Sequence, residues 1–265
     1  MTTRPICIVV AMASELRHLI EAATVEREIR GGIWLERRLT VGGRPVVAVL
    51  SGIGLINAAA ATERLIDAHN PAAVLNFGCA GAHRREIMPG DVVIGDRVVL
   101  HSAVHVLAGG DEHYKGFGYA FAGEEIKADE LPCDPTLVAI ARSATENWVP
   151  DPWPPALGWP ATVDYRDPVT GVGAVASADV WTQSQARLDV LHGRHGSLCE
   201  DMEAAAVAQV CALHGVPFLT IKDISNNEYH AATDLLGGAD DFPMSEVGKR
   251  AAALTLRVLE AVADL

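Results

Sequence analysis

Carboxylates able to move a proton or offset a developing positive charge stand at two telling places in this chain. Glu15 lies in Ala11-Met-Ala-Ser-Glu-Leu16, where an apolar run gives way to a helical pattern. Glu200, Asp201 and Glu203 crowd into Glu200-Asp-Met-Glu-Ala-Ala-Ala-Val207, directly before an apolar helix. Three carboxylates in four residues repel one another unless a bound group or a helix N-terminus offsets them. A plain helix start is the competing explanation at both places, with Ser14 as cap and Glu15 in the first turn. A third polar cluster, Ile221-Lys-Asp-Ile-Ser-Asn226, ends a hydrophobic strand. Open α/β sheets put their sites at such strand ends, which favours function over a solvated loop.

Two glycine-bearing segments follow strands. Ser51-Gly-Ile-Gly-Leu-Ile-Asn-Ala-Ala-Ala60 opens an alanine-rich helix, and glycines there let backbone N–H groups approach a ligand. Close helix–strand packing explains Gly52 and Gly54 equally well. A dinucleotide fingerprint needs a third glycine where this chain has Asn57, so a Rossmann cofactor site is not supported. Asn76-Phe-Gly-Cys-Ala-Gly-Ala82 reads as a second tight turn, and two such turns in one sheet begin to outline a floor for a ligand.

Short Val- and Ile-rich runs alternate with helical patterns, the signature of a mostly parallel sheet covered by helices. Strands are predicted at residues 6–11, 34–41, 45–50, 73–77, 91–99, 171–177 and 217–222. Helices are predicted at 14–23, 56–68, 135–146, 182–192, 202–213 and 245–262, with Gly215 as a C-terminal cap. The expected fold is a single-domain three-layer α/β sandwich over residues 1–265, with a mixed, mostly parallel central sheet. Residues 107–134, rich in Gly and acid, and 147–168, with Trp148, Trp153, Trp159 and six prolines, read as surface excursions where binding loops lie. A net charge of -13 argues against a nucleic-acid surface, and a small-molecule ligand fits better. Five cysteines without a CxxC pair point to reduced thiols and a cytoplasmic location. No apolar run approaches the roughly 20 residues of a membrane span.

Together and in this order the segments resemble the nucleoside phosphorylase/nucleosidase superfamily, and within it the methylthioadenosine/S-adenosylhomocysteine nucleosidase branch. Ala-Met-x-x-Glu, Ser-Gly-Ile-Gly-x-x-Asn-Ala-Ala and Met-Glu-Ala are met, with Pro89-Gly-Asp-Val92, His101, Phe117-Gly-Tyr119 and Ser177-Ala-Asp-Val-Trp181 as further matches. The resemblance implies hydrolysis of a purine nucleoside at its N-glycosidic bond, without metal or cofactor. By position Glu15 activates water, Glu203 holds the ribose hydroxyls and Met202 packs beside the sugar. Gly81 makes a backbone contact, Trp181 stacks on the base, and the backbone of Thr182 reads the base edge. Lys222 takes the place of the usual arginine near the nucleophilic water. The branch forms homodimers in which the region of Phe117 closes the neighbour's 5' pocket.

Two departures bear on chemistry. Cys79 stands where the family has serine. Asn226 stands where the branch has its general-acid aspartate, and an amide delivers no proton at neutral pH. Futalosine hydrolases resemble this chain in having Ser-Asn there, and their base is hypoxanthine, which leans the reading away from strict adenine specificity. Asp223 is the other candidate for the missing acid, although strand alternation points it away from Asn226. Phosphorolysis is a competing reading; it needs a cationic clamp for phosphate, whereas Asn76 replaces the family arginine and Arg84 and Arg85 read as surface charge. A non-catalytic nucleoside-binding protein is a third reading, opposed by the presence of both Glu15 and Glu203.

Overall fold

The computed structural model describes residues 4–233 and 243–262. The strands are β1 (Ile6–Val10), β2 (Val25–Gly31), β3 (Trp34–Val41), β4 (Arg44–Leu50), β5 (Ala73–Ala82), β6 (Val92–Leu100), β7 (Val104–Val106), β8 (Glu112–Tyr114), β9 (Phe117–Phe121), β10 (Glu124–Ala128), β11 (Leu131–Pro132), β12 (Thr170–Ser177), β13 (Ser197–Asp201) and β14 (Phe218–Asn226). The helices are α1 (Ala13–Ala22), α2 (Leu55–His69), α3 (Pro135–Ala144), α4 (Gln185–His195), α5 (Ala204–His214) and α6 (Lys249–Ala261).

The central sheet runs β11-β6-β12-β13-β5-β1-β4-β3-β2. β1 joins β4 and β5 in parallel, and β12 joins β6 and β13 in parallel. β14 pairs in parallel with β5 and antiparallel with β6, so β6, β12, β13, β5 and β14 close a ring. All five residues of β1 are buried, as expected of a strand covered on both faces. α2 packs on α5, while α1 and α3 pack on α6, giving the flanking layers of an α/β sandwich.

Several expectations are corrected. Residues 76–82 form no tight turn but the second half of β5, because their small side chains let β13 and β14 pair alongside. Glu200 and Asp201 end β13, and the following helix starts only at Ala204. The predicted helix from residue 182 starts at Gln185, capped by Ser184. The 107–134 excursion is built of short strands, including the β9–β10 hairpin, and β2 was also unforeseen. Residues 147–168 do not border the cavity at the strand ends; Trp153 is fully buried there, with the Arg250 guanidinium 5.0 Å from its ring centre. Gly215 caps α5 in the left-handed conformation, as predicted.

Candidate active site

The carboxyl ends of several strands converge on one cavity of about 340 Å3. β1 leads into Ala11 and Met12, β5 contributes Cys79 to Ala82, β13 and the turn after it contribute Glu200 to Glu203, and β14 contributes Ser225 and Asn226. Val180, Trp181 and Thr182, after β12, complete the wall.

Glu15 is buried at the start of α1. Met12, rather than the expected Ser14, is the N-cap. Glu15 Oε2 accepts from the Met12 N–H at 2.9 Å, and Oε1 accepts from the Cys79 N–H at 2.7 Å. Backbone donors from two elements therefore fix both oxygens of one carboxylate. A Cβ on Gly78 would lie 2.6 Å from Glu15 Oε1, so the glycine makes the close approach possible. Burial pushes the Glu15 carboxyl above its ordinary value, against the opposing effects of the Cys79 N–H and Lys222. Burial and the Glu15 charge push the Cys79 thiol well up.

The three crowded carboxylates have separate tasks. Asp201 accepts from the Ala204 N–H at 2.9 Å and caps α5. Its Oδ2 also lies 2.7 Å from Lys222 Nζ, an ion pair with both side chains 1% exposed. Glu203 borders the cavity, and its Oε1 accepts from the Gly54 N–H at 2.9 Å. Gly54 has φ of 103°, a conformation L-residues rarely adopt, which aims that N–H at the carboxylate. The glycine turn thus positions a site residue. Burial, then the charge of Asp201, pushes Glu203 up to about 7. Glu200 turns aside to Thr182. Its Oε1 accepts from the Thr182 N–H at 2.6 Å, and Oε2 accepts from the Thr182 hydroxyl at 2.9 Å. His83 Nε2 lies 3.2 Å and His101 Nε2 3.5 Å from Oε2. Burial raises Glu200, but the His83 hydrogen bond and charge outweigh it and leave the carboxyl below its ordinary value.

At the far end Asn226 Oδ1 accepts from the Ser225 hydroxyl at 2.7 Å, and Nδ2 donates to Glu228 Oε1 at 2.9 Å. Glu228, 5% exposed, also accepts from Trp181 Nε1, the Thr233 N–H and the Thr233 hydroxyl.

Glu15, Cys79, Gly81, Trp181, Thr182, Met202, Glu203 and Asn226 all border this cavity. Lys222 stands behind the wall; burial opposes its charge, but Asp201, Glu203 and Glu15 outweigh that and raise it. Its Nζ is paired with Asp201 Oδ2 at 2.7 Å. Phe117 is 1% exposed and packs in the chain's own core, with Tyr119 against it. The Thr182 N–H is already held by Glu200, so a base edge would have to compete for it. Asp223 points away from the cavity, its oxygens taking the Gly248 and Arg250 N–H groups at the start of α6. Burial pushes it up to about 7, against the nearby Arg250. Sequence reasoning missed Glu228 and His83. The only signal for Glu228 was an acidic residue two places beyond Asn226.

Residues 5–260 match the model of the phosphorylase superfamily. The 5'-methylthioadenosine/S-adenosylhomocysteine nucleosidase of Chromohalobacter salexigens is 31% identical over 264 residues, covering 98% of this chain and 96% of that one. The S-adenosylhomocysteine nucleosidase of Streptococcus pyogenes, solved with 5-methylthiotubericidin, superposes with a TM-score of 0.74 at 25% identity, covering 98% of each chain. The futalosine hydrolase of Helicobacter pylori shares the fold with a TM-score of 0.75 at 21% identity, covering 97% of this chain and 98% of that one.

Proposed function

The chain belongs to the phosphorylase superfamily, and from that premise we propose that it hydrolyses the N-glycosidic bond of a purine nucleoside, releasing the free base. One observation carries the reading: Glu15 and Glu203, far apart in sequence, border the same buried cavity. The relatives are nucleosidases by name. Cleavage of the C1'–N9 bond builds positive charge on the sugar, and an anionic neighbour stabilises it. Glu203, in the ionised form, holds the ribose hydroxyls and supplies that charge. Glu15, oriented by the Met12 and Cys79 N–H groups, takes the proton of the attacking water. Its raised proton affinity suits a base working near neutrality. Met202 packs beside the sugar, Gly81 contributes backbone, and Trp181 stacks on the base over Thr182. Asn226 meets the N7/O6 edge. Its amide donates to O6 of a 6-oxopurine and accepts N7–H once N7 is protonated, so a 6-oxopurine is preferred over adenine.

Hydrolysis is favoured over phosphorolysis by a specific feature. Among the described residues bordering the cavity there is no lysine or arginine. Asn76, at the family's phosphate-side position, spends its amide on Val9 and Thr220. Arg85 lies over the Tyr229 ring instead. Base release from inosine and 5'-methylthioadenosine, followed by chromatography with and without phosphate, tests the proposal. A rate independent of phosphate supports it; dependence on phosphate, or no base released over hours, refutes it.

The chain also works as a cytoplasmic homodimer in this reading. Ile53, Ile56, Val180 and Trp181, exposed by 52%, 81%, 44% and 37%, make an apolar rim beside the cavity mouth, which a second copy would cover. Light scattering at working concentration should give a dimer mass. Five free cysteines, four of them buried, suit a reducing compartment. Among the described residues no helix is long and apolar enough to cross a membrane.

A further inference from the structure

We infer that Glu228 is a positioning residue that locks the Asn226 amide in one orientation and thereby sets the preference for the base. The inference rests on the purine-nucleoside reading of the cavity. Every group around Glu228 presents a proton to it. Oε1 takes Asn226 Nδ2 at 2.9 Å, Trp181 Nε1 at 3.2 Å and the Thr233 hydroxyl at 2.6 Å. Oε2 takes the Thr233 N–H at 2.9 Å and Gln183 Nε2 at 3.4 Å. With its oxygens so occupied, Glu228 has no capacity left to bind a base itself. Its influence passes through Asn226.

An Asn amide can turn end for end, and its density or shape alone does not decide which way. Two neighbours decide it here. The Ser225 hydroxyl donates to Asn226 Oδ1 and also reaches the Ala80 carbonyl at 3.3 Å. A hydroxyl can rotate to serve either end of an amide. Glu228 cannot: a reversed amide would set its oxygen against a carboxylate at hydrogen-bond distance. Glu228 therefore holds Nδ2 on its own side, and the second N–H of Nδ2 and the second lone pair of Oδ1 remain for the cavity. That fixed pair matches a 6-oxopurine, with a donor for O6 and an acceptor for N7–H, and mismatches the amino group of adenine.

The same geometry explains why an amide can stand at this position. A carboxyl at 226 would face Glu228 at about the same separation, and two carboxylates that close share one proton. Glu228 would hold a carboxyl introduced at 226 protonated to higher pH than usual, and in that form it could donate to N7 while accepting from N6–H. Replacing Glu228 by its amide removes that effect.

The test uses 5'-methylthioinosine and 5'-methylthioadenosine, which differ only at purine position 6. It compares wild type, Glu228→Gln, Asn226→Asp and the double variant from pH 5.5 to 9. Calorimetric binding of hypoxanthine and adenine, and thermal midpoints, are recorded alongside. Wild type should prefer the 6-oxo substrate by about ten- to hundred-fold in kcat/KM. Glu228→Gln should bring the ratio to within a few-fold of parity, an effect that mere loosening of the fold does not produce. Asn226→Asp should reverse the preference and lose activity as pH rises past the point where the shared proton leaves. In the double variant the gain on the 6-amino substrate should disappear at neutral pH. Equal losses on both substrates in Glu228→Gln, or a double variant as active on the 6-amino substrate as Asn226→Asp, overturn the inference. So does a wild type that hydrolyses both without preference, although hydrolysis itself then stands. If wild type hydrolyses neither, the hydrolase reading fails, and base binding decides Glu228: a hypoxanthine preference erased by Glu228→Gln supports the positioning role, and equal binding overturns it.

Discussion

Glu203→Gln should make the protein more stable at neutral and alkaline pH while crippling turnover. Glu203 is 6% exposed and lifted to about 7 from an ordinary 4.5, by burial first and by Asp201 second. A carboxyl held that far up carries a penalty of roughly 3 kcal/mol in its charged form, an upper figure because Asp201, Glu15 and Lys222 share the response. Below pH 4.5 folded and unfolded chains both hold the proton and the penalty is absent. Between 4.5 and about 7 only the folded chain keeps it, so stability falls as pH rises through that window. Above it the folded carboxylate bears the full cost. Gln removes the charge and still offers an oxygen to the Gly54 N–H. The variant should therefore match wild type near pH 4.5 and exceed it at pH 8 by about 1–3 kcal/mol, or roughly 2–5 °C in thermal midpoint for a chain of this size. Its kcat should fall far more than its KM rises, because the lost charge matters most when the sugar is cationic. Midpoints at pH 4.5, 6 and 8 and steady-state kinetics at pH 8 are the assays. A variant no more stable than wild type at pH 8, or an activity loss confined to KM, would falsify this account of Glu203.

Three further outcomes are expected. Glu15→Gln sets an amide NH2 against the Met12 or Cys79 N–H and should cost about 1–3 kcal/mol of stability, yet still fold by circular dichroism and lose roughly 10²- to 10⁴-fold in kcat; retention of most turnover removes Glu15 from the mechanism. Lys222→Met leaves Asp201, Glu203 and Glu15 without their shared cation. It should cost about 3–5 kcal/mol in urea unfolding, more at pH 8 than at pH 6, and a loss independent of pH would contradict the electrostatic role. Asp223→Asn sets an amide NH2 against one of the α6 N–H groups and should cost about 1–3 kcal/mol of stability, with base preference in the matched-substrate assay unchanged; abolished hydrolysis would make Asp223 the acid.

Where one physical signal dominated, the sequence was readable. β1 is a run of five apolar residues, all of them buried, and a short Val- and Ile-rich run of that kind suits a strand covered on both faces. Glu15 and Glu203 were legible through motif order. Their environments were not, since the Cys79 N–H that fixes Glu15 and the Gly54 N–H that fixes Glu203 come from 64 and 149 residues away. β5 was cut short because Gly78, Cys79, Ala80 and Gly81 look like turn residues. In the fold their smallness serves close approach: a Cβ on Gly78 meets Glu15, and one on Gly81 comes within 3.5 Å of Asn226 Nδ2. β13 was missed because Glu200 and Asp201 also fit the approach to a helix N-terminus. The distinction lies in pairing with β12 and β5, which local pattern does not contain. Phe117 packs in the chain's own core, an environment the sequence does not reveal because an aromatic residue reads alike whether it fills its own core or reaches a neighbour.

The arrangement of charge ties stability to the proposed chemistry. Glu15, Asp201 and Glu203 share one buried ammonium, Lys222, which forms its ion pair with Asp201. The resting site is therefore too negative for its surroundings, and it responds by holding a proton, which is why Glu203 titrates near neutrality. Had evolution matched each carboxylate with a cation, the fold would gain stability and the cavity would be electrically satisfied before any substrate arrived. In the proposed mechanism the imbalance is left in place, and the missing positive charge comes from the reacting sugar as the glycosidic bond stretches. The interaction is weak with a neutral nucleoside and strong with the cationic intermediate structure, which is the condition for lowering a barrier rather than merely binding. Lys222 behind the wall rather than in it is consistent with this. A cation facing the cavity would oppose the charge that develops on the ribose, whereas one tucked under Asp201 keeps α5 capped and leaves the Glu203 charge directed at the sugar.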